Sequence, residues 1–293
     1  MSDVIASPST RRKALEQGVD LNARAKELGR TTLGPEDLGA SAPATATPAG
    51  DTRYWDVDHS AYGPVTTEPM SRFAQVAAGN LGAANALIPQ VTHHDRADIT
   101  AIEGLRQQWR AEAQARGIRL TALAFHVMAL AQALRAFPRF NAALSPDGKT
   151  LVLRDYVHIG IAVDTPHGLM VPVIRDADRK GLWQISAAIT DLAARAQARK
   201  IAPDEMGGAS MTISNLGGIG GLGFTPIVNP PELAILGITR TETVTLWDGD
   251  TPRPVPMVPL DLSYDHRALN GADAARFMTQ LTTLLADPKT MMT

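Results

Sequence analysis

The segment that most restricts this chain is Gly39 to Gly50, GASAPATATPAG, which carries no charge and no large apolar side chain. A stretch of that composition cannot bury enough surface to offset its ordering entropy, and its prolines keep it extended, so it tethers rather than packs. The chain therefore has to divide. Residues 1–38 form a short leading segment, 39–67 a linker and extended arm, and 68–293 the body that holds the core. With 44% hydrophobic residues among 293, that body suffices for one substantial domain.

In the leading segment, Ser7 or Ser9 is placed to cap a helix through Arg11, Arg12, Lys13, Ala14 and Leu15. Gly18 stops it, and a second short helical stretch ends before Pro35. Independent folding is marginal below ~40 residues. A frayed basic extension and a small binding module both fit these letters.

The formal charge of −2 and pI near 6.4 lack the electrostatic footprint of a nucleic-acid binder. No apolar run approaches the ~20 residues a membrane span requires, and Met1 to Ser9 has no signal-peptide pattern. The chain has no cysteine, which excludes disulfides, thiolate metal sites and a cysteine nucleophile and fits a reducing compartment. We expect a cytoplasmic protein with no metal, nucleic-acid or membrane partner, whose thiol chemistry, if any, comes from its substrates.

Within the body, Ser71 to Leu87 reads as an Ala-rich helix and Gln90 to Asp98 as an alternating strand. Thr100 to Arg116 reads as one helix with Ile102, Leu105 and Trp109 on a stripe and Gly117 as its cap. Leu120 to Phe137 is apolar on most faces and ends at Pro138. Strands are expected at Leu151 to Leu153, Val157 to Val163 and Leu169 to Ile174, paired in one sheet and bounded by Asp147-Gly148, Pro166-His167-Gly168 and Asp176. A helix over Leu182 to Arg199 comes next, then strands at Ser210 to Ser214, Leu233 to Ile238 and Val255 to Ser263, and a closing helix over Ala272 to Leu285. Strands and helices mingle without a regular βαβ beat, so the fold class is α+β: a sandwich of helices against a mixed sheet.

Two segments carry chemistry. Ser263-Tyr264-Asp265-His266-Arg267-Ala268-Leu269-Asn270-Gly271 comes after an apolar strand and precedes a helix. His266 there suits a general base, because imidazole alone takes up a proton near neutral pH with an unperturbed pKa. A histidine satisfied by backbone partners fits the same letters. The second segment runs from Gly207 through Thr212-Ile213-Ser214-Asn215 into a glycine cluster ending at Gly221. Ser214, at the end of a rigid strand, can donate to an oxyanion or equally cap a turn. The glycine spacing and the prolines at 226, 230 and 231 rule out a dinucleotide fingerprint.

Five ordered stretches then resemble the catalytic domain of the 2-oxo acid dehydrogenase acyltransferases, the E2 components. They are Phe137 to Ala142, Gly168 to Asp178, Thr212 to Gly217, Phe224 to Ile227 and Tyr264 to Arg267, and the resemblance spans about Glu68 to Thr293, closest to the acetyltransferases of pyruvate dehydrogenase. It implies a fold like that of chloramphenicol acetyltransferase and homotrimers with active sites between subunits. It also implies assembly into a larger cubic core and partnership with E1 and E3 dehydrogenases. It further implies acyl transfer between dihydrolipoamide and coenzyme A, with acetyl-CoA as substrate. His266 would be the general base and Ser214, from a neighbouring subunit, the oxyanion donor. Asn270 stands where many members carry Asp; it can orient a neighbour but cannot supply charge to a histidinium.

The sequence departs from that family in two places. No lipoyl domain has room here, so lipoamide is expected in trans from a lipoyl-bearing protein. Residues 1–38 resemble a degenerate peripheral subunit-binding domain lacking its central glycine-rich loop, with Arg11, Arg12 and Lys13 as docking charges or as a solvated helix face. Arg72 and Lys180 are candidates for coenzyme A phosphates or plain surface charges; the residues that bind coenzyme A are otherwise unassigned. Two other functions fit: a structural core subunit without turnover, and a stand-alone acyltransferase that uses coenzyme A with a different acceptor.

Overall fold

The computed structural model describes residues 4–16, 19–38, 55–166 and 168–292. The run Gly39 to Gly50, the stop at Gly18 and His167 lie outside the described residues. Contacts divide the chain into two units, Met1–Glu68 and Pro69–Thr293.

The first unit contains β1 (Ile5–Ala6), α1 (Pro8–Glu16), α2 (Leu21–Leu28) and β2 (Thr32–Leu33), with β1 and β2 paired in parallel. Ser7 Oγ accepts the Thr10 N–H at 3.1 Å, so Ser7 is the residue that caps α1. Asp20 Oδ1 accepts from Asn22 N at 2.8 Å, and Gly29, with φ 64°, closes α2 in the left-handed conformation that glycine adopts without a Cβ penalty. Val4, Ala25 and Leu33 form its small core. Arg11 donates to the carbonyls of Val4 at 2.7 Å and Ala6 at 3.2 Å; of the three expected docking charges, it is committed inside the unit.

The second unit is built on a seven-stranded mixed sheet. In chain order its elements are α3 (Arg72–Leu87), β3 (Gln90–Asp98), α4 (Thr100–Gln108), α5 (Arg110–Ala115), α6 (Ala122–Ala136), β4 (Ala142–Leu144) and β5 (Leu151–Leu153). They continue with β6 (Ile159–Ile161), β7 (Val173–Ile174), α7 (Leu182–Gln197), β8 (Met211–Asn215), β9 (Ala234–Ile238), β10 (Glu242–Asp248), β11 (Thr251–Asp265) and α8 (Gly271–Ala286). The strand order is β10-β11-β9-β8-β6-β7, with β3 also on β11; β6, β8 and β9 run parallel and the remaining pairs antiparallel. The expected α+β arrangement is the one observed.

Three expectations are corrected. The helix over 100–116 is two helices that break at Trp109, φ −95° and ψ 9°, where its ring packs against Trp183 at 6.1 Å. The strand at 151–153 does not join the main sheet. It folds back on β4 as a separate hairpin, because Asp147 Oδ1 accepts from Ser145 Oγ and Lys149 N and Gly148 takes φ 70°. The third correction is β10, a strand in its own right where only one beginning at Val255 is expected. Pro252, Pro254 and Pro256 interrupt the strand signal, yet prolines spaced two apart place their missing N–H groups on one edge. The other edge is left free for the β10 ladder, which pairs Asp248 with Thr251 through Glu242 with Met257.

The core lies between the sheet and α4, α6, α7 and α8. Along β11, Leu260, Leu262 and Tyr264 are buried toward these helices, while Asp261, Ser263 and Asp265 occupy the opposite face, as a period of two requires. At Ile235 that opposite face packs on Ala84 and Ile88 at the end of α3.

His126, inside α6, is buried, with Nδ1 on the Ala122 carbonyl at 2.7 Å and Nε2 unpartnered. Burial pushes its pKa down to about 4. The folded state thus takes up fewer protons than the unfolded chain, and the stability this group contributes is full above the unfolded value near 6.5 and lost as pH falls toward 4. We expect denaturant titrations to show a loss of up to ~3 kcal/mol across that window in the wild type, and a flatter profile for His126→Leu.

Candidate active site

His266 is the first residue beyond β11, and several contacts fix its backbone. Its N–H donates to Pro89 O at 3.1 Å, and Asp265 O accepts from Ala268 and Leu269. The buried Asp265 carboxylate accepts the Arg267 N–H at 3.0 Å and the Arg267 guanidinium through Nε at 2.9 Å and Nη2 at 2.6 Å. Arg139, within the stretch Phe137 to Ala142, adds a bond from Nη2 to Ala268 O at 2.9 Å. A bidentate pair of this kind is rigid as well as strong. The imidazole is exposed, lies 5.8 Å from the Tyr264 ring, and makes no side-chain hydrogen bond among the described residues. It is therefore not a histidine satisfied by backbone partners.

Ser214 lies near the end of β8, paired in parallel with Gly237 of β9. It is half-buried, and its hydroxyl has no hydrogen-bond partner among the described residues. The turn beyond it is closed by Asn215 Oδ1, which accepts the Gly217 N–H at 2.8 Å. Asn215, not Ser214, caps that turn.

The sheet keeps Ser214 and His266 of one chain apart. Register pairs Ser214 with Gly237 and Gly237 with Asp261, so Ser214 sits two strands from Asp261, about 10 Å away across the sheet. His266 is then five residues farther along β11, a further ~17 Å along the strand direction. A base and an oxyanion donor serving one carbonyl must both reach it within about 3 Å, so these two groups of one chain cannot do so together.

Asn270 is exposed and caps α8, its Oδ1 accepting the Asp273 N–H at 2.9 Å. Lys180 donates its ammonium to Arg175 O, and Arg72 is exposed at the first turn of α3.

Sequence reasoning missed Glu232. Its side chain lies beneath β8, accepting on Oε1 from Thr212 Oγ1 at 2.9 Å and Asn229 Nδ2 at 3.1 Å, while Oε2 has no partner. Burial pushes its carboxyl up to about 7. It lines a cavity of about 510 Å³ with Leu87, Ile88, Pro230, Asp265 and Arg267. Nothing in the sequence flags a lone Glu between Pro231 and Leu233; only the packing of the 229–233 segment under β8 buries it.

A compact α+β domain with an exposed histidine at the end of its longest strand and a free serine hydroxyl at the end of another defines the class. The family model described as 2-oxoacid dehydrogenases acyltransferase (catalytic domain) matches residues 62–293, and the chain belongs to that family. Among its relatives is the dihydrolipoyllysine-residue acetyltransferase component of the pyruvate dehydrogenase complex of Pseudomonas aeruginosa, 45% identical over 99% of this chain and 55% of that protein. The Azotobacter vinelandii counterpart is 44% identical over 99% of this chain and 47% of its own length. The chain thus spans about half the length of the curated relatives it matches.

Two solved structures superpose with a TM-score of 0.79, each covering 81% of this chain and 98% of the other. One, 46% identical, is of Azotobacter vinelandii dihydrolipoamide acetyltransferase (E2p) and concerns the roles of a serine, a histidine and an asparagine in its catalytic mechanism. The other, 47% identical, is the cubic core of the pyruvate dehydrogenase multienzyme complex.

Two outcomes are expected for stability. Asn270→Ala, which leaves Asp273 N–H without its cap, should lower unfolding free energy by ~1 kcal/mol, with Asn270→Asp close to wild type in the same denaturant titration. Glu232 binds its proton more tightly when folded. Its favourable contribution is complete below the unfolded pKa of 4.5 and is lost as pH rises through about 7. Glu232→Gln should therefore gain on the wild type between those values, by up to ~3 kcal/mol at the upper end.

Proposed function

We propose that this chain is the acyltransferase core of a pyruvate dehydrogenase complex. It moves an acetyl group between dihydrolipoamide and coenzyme A at sites shared by two copies of the chain. The lipoyl group comes from a lipoyl-bearing protein or domain outside this sequence, and E1 and E3 dehydrogenases are the partner enzymes. The observation that carries the reading is the pair of unengaged groups, the His266 imidazole and the Ser214 hydroxyl, held on rigid strand ends too far apart to meet within one chain. The E2p structure concerns a serine, a histidine and an asparagine at the same sequence intervals as Ser214, His266 and Asn270.

His266 takes the proton from the incoming thiol, which with a pKa near ~8.5 is otherwise only fractionally ionised at neutral pH. The sulfur attacks the thioester carbonyl, and the Ser214 hydroxyl of a second copy donates a hydrogen bond to the developing oxyanion. As the tetrahedral intermediate collapses, the old carbon–sulfur bond breaks and the imidazolium returns its proton to the departing thiolate. No acyl group is attached to the protein. Asn270 positions the loop by capping α8 rather than by supplying charge.

Closed assembly is supported by exposed apolar side chains, among them Phe73, Val76 and Leu87 on α3, Ile219 and Leu222 beyond Ser214, and Trp247 on β10. A homotrimer puts three such shared sites in one particle, and trimers pack further into a cubic core. A cytoplasmic location fits a cysteine-free chain with no helix long and apolar enough to cross a membrane among the described residues.

The test is acetyl transfer from acetyl-CoA to free dihydrolipoamide. We expect His266→Ala to lose about 10²- to 10⁴-fold and Ser214→Ala about 10²- to 10³-fold in kcat. Co-assembling the two inactive variants in equal amounts should restore about one quarter of wild-type turnover, since that fraction of interfaces carries both intact groups. No recovery in correctly sized mixed particles would sink the shared site, and a wild type that transfers nothing to dihydrolipoamide would sink the acceptor.

A further inference from the structure

Asp261 is a buried carboxylate with no part in the acyl-transfer chemistry itself. It lies on the β11 face turned away from the helices, in one cross-strand row with Ser214, Gly237 and His94. Its side chain is 3% exposed. Oδ1 pairs with His94 Nδ1 at 2.6 Å, and Oδ2 accepts the Phe224 N–H at 3.1 Å. A carboxylate removed from water is costly unless such partners satisfy it, so both bonds are strongly held.

Phe224 ends the glycine-rich excursion that begins just past Ser214. The near end of that excursion is tied to β9 by Leu216 N–H to Ile238 O at 2.8 Å and to the end of β8 by Gly217 N–H to Asn215 Oδ1. Between these ties, glycines at 217, 218, 220, 221 and 223 confer little conformational preference. The Asp261 bond is the fixed point at the far end. A Cβ at 223 would stand 3.3 Å from the Asp261 carboxylate, and one at 237 would meet the Phe224 ring at 2.8 Å. Glycine at 237, the residue between Ser214 and Asp261, is therefore what lets the Phe224 ring lie on the sheet beside Ser214.

We propose that Asp261, held by His94, is a positioning residue for Ser214: by pinning the Phe224 amide it seats the Phe224 ring on Gly237 and closes the glycine-rich segment against the strand end that presents the serine hydroxyl. The proposal rests on the reading of Ser214 as the oxyanion donor. Asp261 touches no substrate. It acts because a preorganised donor must be held in place before charge develops, and a shift of about 1 Å is enough to lose up to 10²-fold in rate.

The experiment is a double-mutant cycle on the assembled protein, monitoring acetyl-CoA and dihydrolipoamide turnover, with particle size checked by light scattering. Asp261→Ala should lower kcat at least about ten-fold with little change in KM for coenzyme A, and should cost less than about two-fold when Ser214 is already alanine. Asp261→Asn, whose amide oxygen still accepts the Phe224 N–H, should stay within about three-fold of wild type, with His94→Ala between the two. Hydrogen exchange read on peptides spanning 216–224 should accelerate in Asp261→Ala and not in Asp261→Asn. Equal fold-losses in both Ser214 backgrounds, or unaltered exchange with unaltered kcat, would overturn the positioning role. Should Asp261→Ala fail to assemble, His94→Ala is taken through the same cycle, with a loss of about three- to ten-fold in kcat expected when Ser214 is intact and less than about two-fold when it is alanine, equal losses in both backgrounds again overturning the role. A Ser214→Ala protein as active as the wild type would instead remove the oxyanion reading itself, an outcome separate from failure of the positioning role of Asp261.

Discussion

The register of β11 is the constraint on which the rest of the molecule depends. This one strand is laddered to β10 along its first half and to β3 and β9 along its second, so its position is fixed by three partner strands. A slip of one residue would carry Leu260, Leu262 and Tyr264 out of the core and drive Asp261, Ser263 and Asp265 into it. The same register sets His266 at the strand end and sets its distance from Ser214, so that the two groups of one chain cannot reach a single carbonyl.

The face of β11 turned from the helices holds two buried carboxylates, and each is matched to a different structural duty. Asp265 grips the Arg267 guanidinium in a fork and, through its backbone, the start of the loop that carries His266. Asp261 grips His94 and the Phe224 amide. Glu232, on the segment beneath β8, has hydroxyl and amide donors on one oxygen but no cation bonded to it, and burial pushes its proton affinity up. Where a charged or strongly polar partner is supplied, the carboxylate fixes a backbone segment next to His266 or beyond Ser214. Where none is supplied, the group holds its proton and couples stability to pH.

Much of the arrangement is legible from residues alone. The alternation of Gln90 to Asp98, the apolar density of Leu120 to Phe137 and the stripe of Phe277, Leu281, Leu284 and Leu285 each report local periodicity, and each element appears where its period places it. His266 and Ser214 stand out because a chemically capable side chain comes after an apolar strand, a local pattern too. The hairpin of β4 and β5, the break at Trp109 and the separation of β10 from β11 were missed because each is decided by a turn or by a partner distant in sequence. Glu232 and Asp261 were invisible for a related reason: an acidic side chain between apolar neighbours looks the same whether water or a buried hydrogen-bond partner awaits it.

By itself the sequence determined the family, the helices and strands of strong period, and the residue types able to move a proton and stabilise an oxyanion. Those are properties of neighbours along the chain. Tertiary structure alone decided which strands pair, which carboxylates leave water, and that Ser214 and His266 of one chain lie too far apart to act together. These depend on cross-strand register, which pairs residues more than a hundred positions apart, such as His94 and Asp261, and no local spacing encodes such a distance.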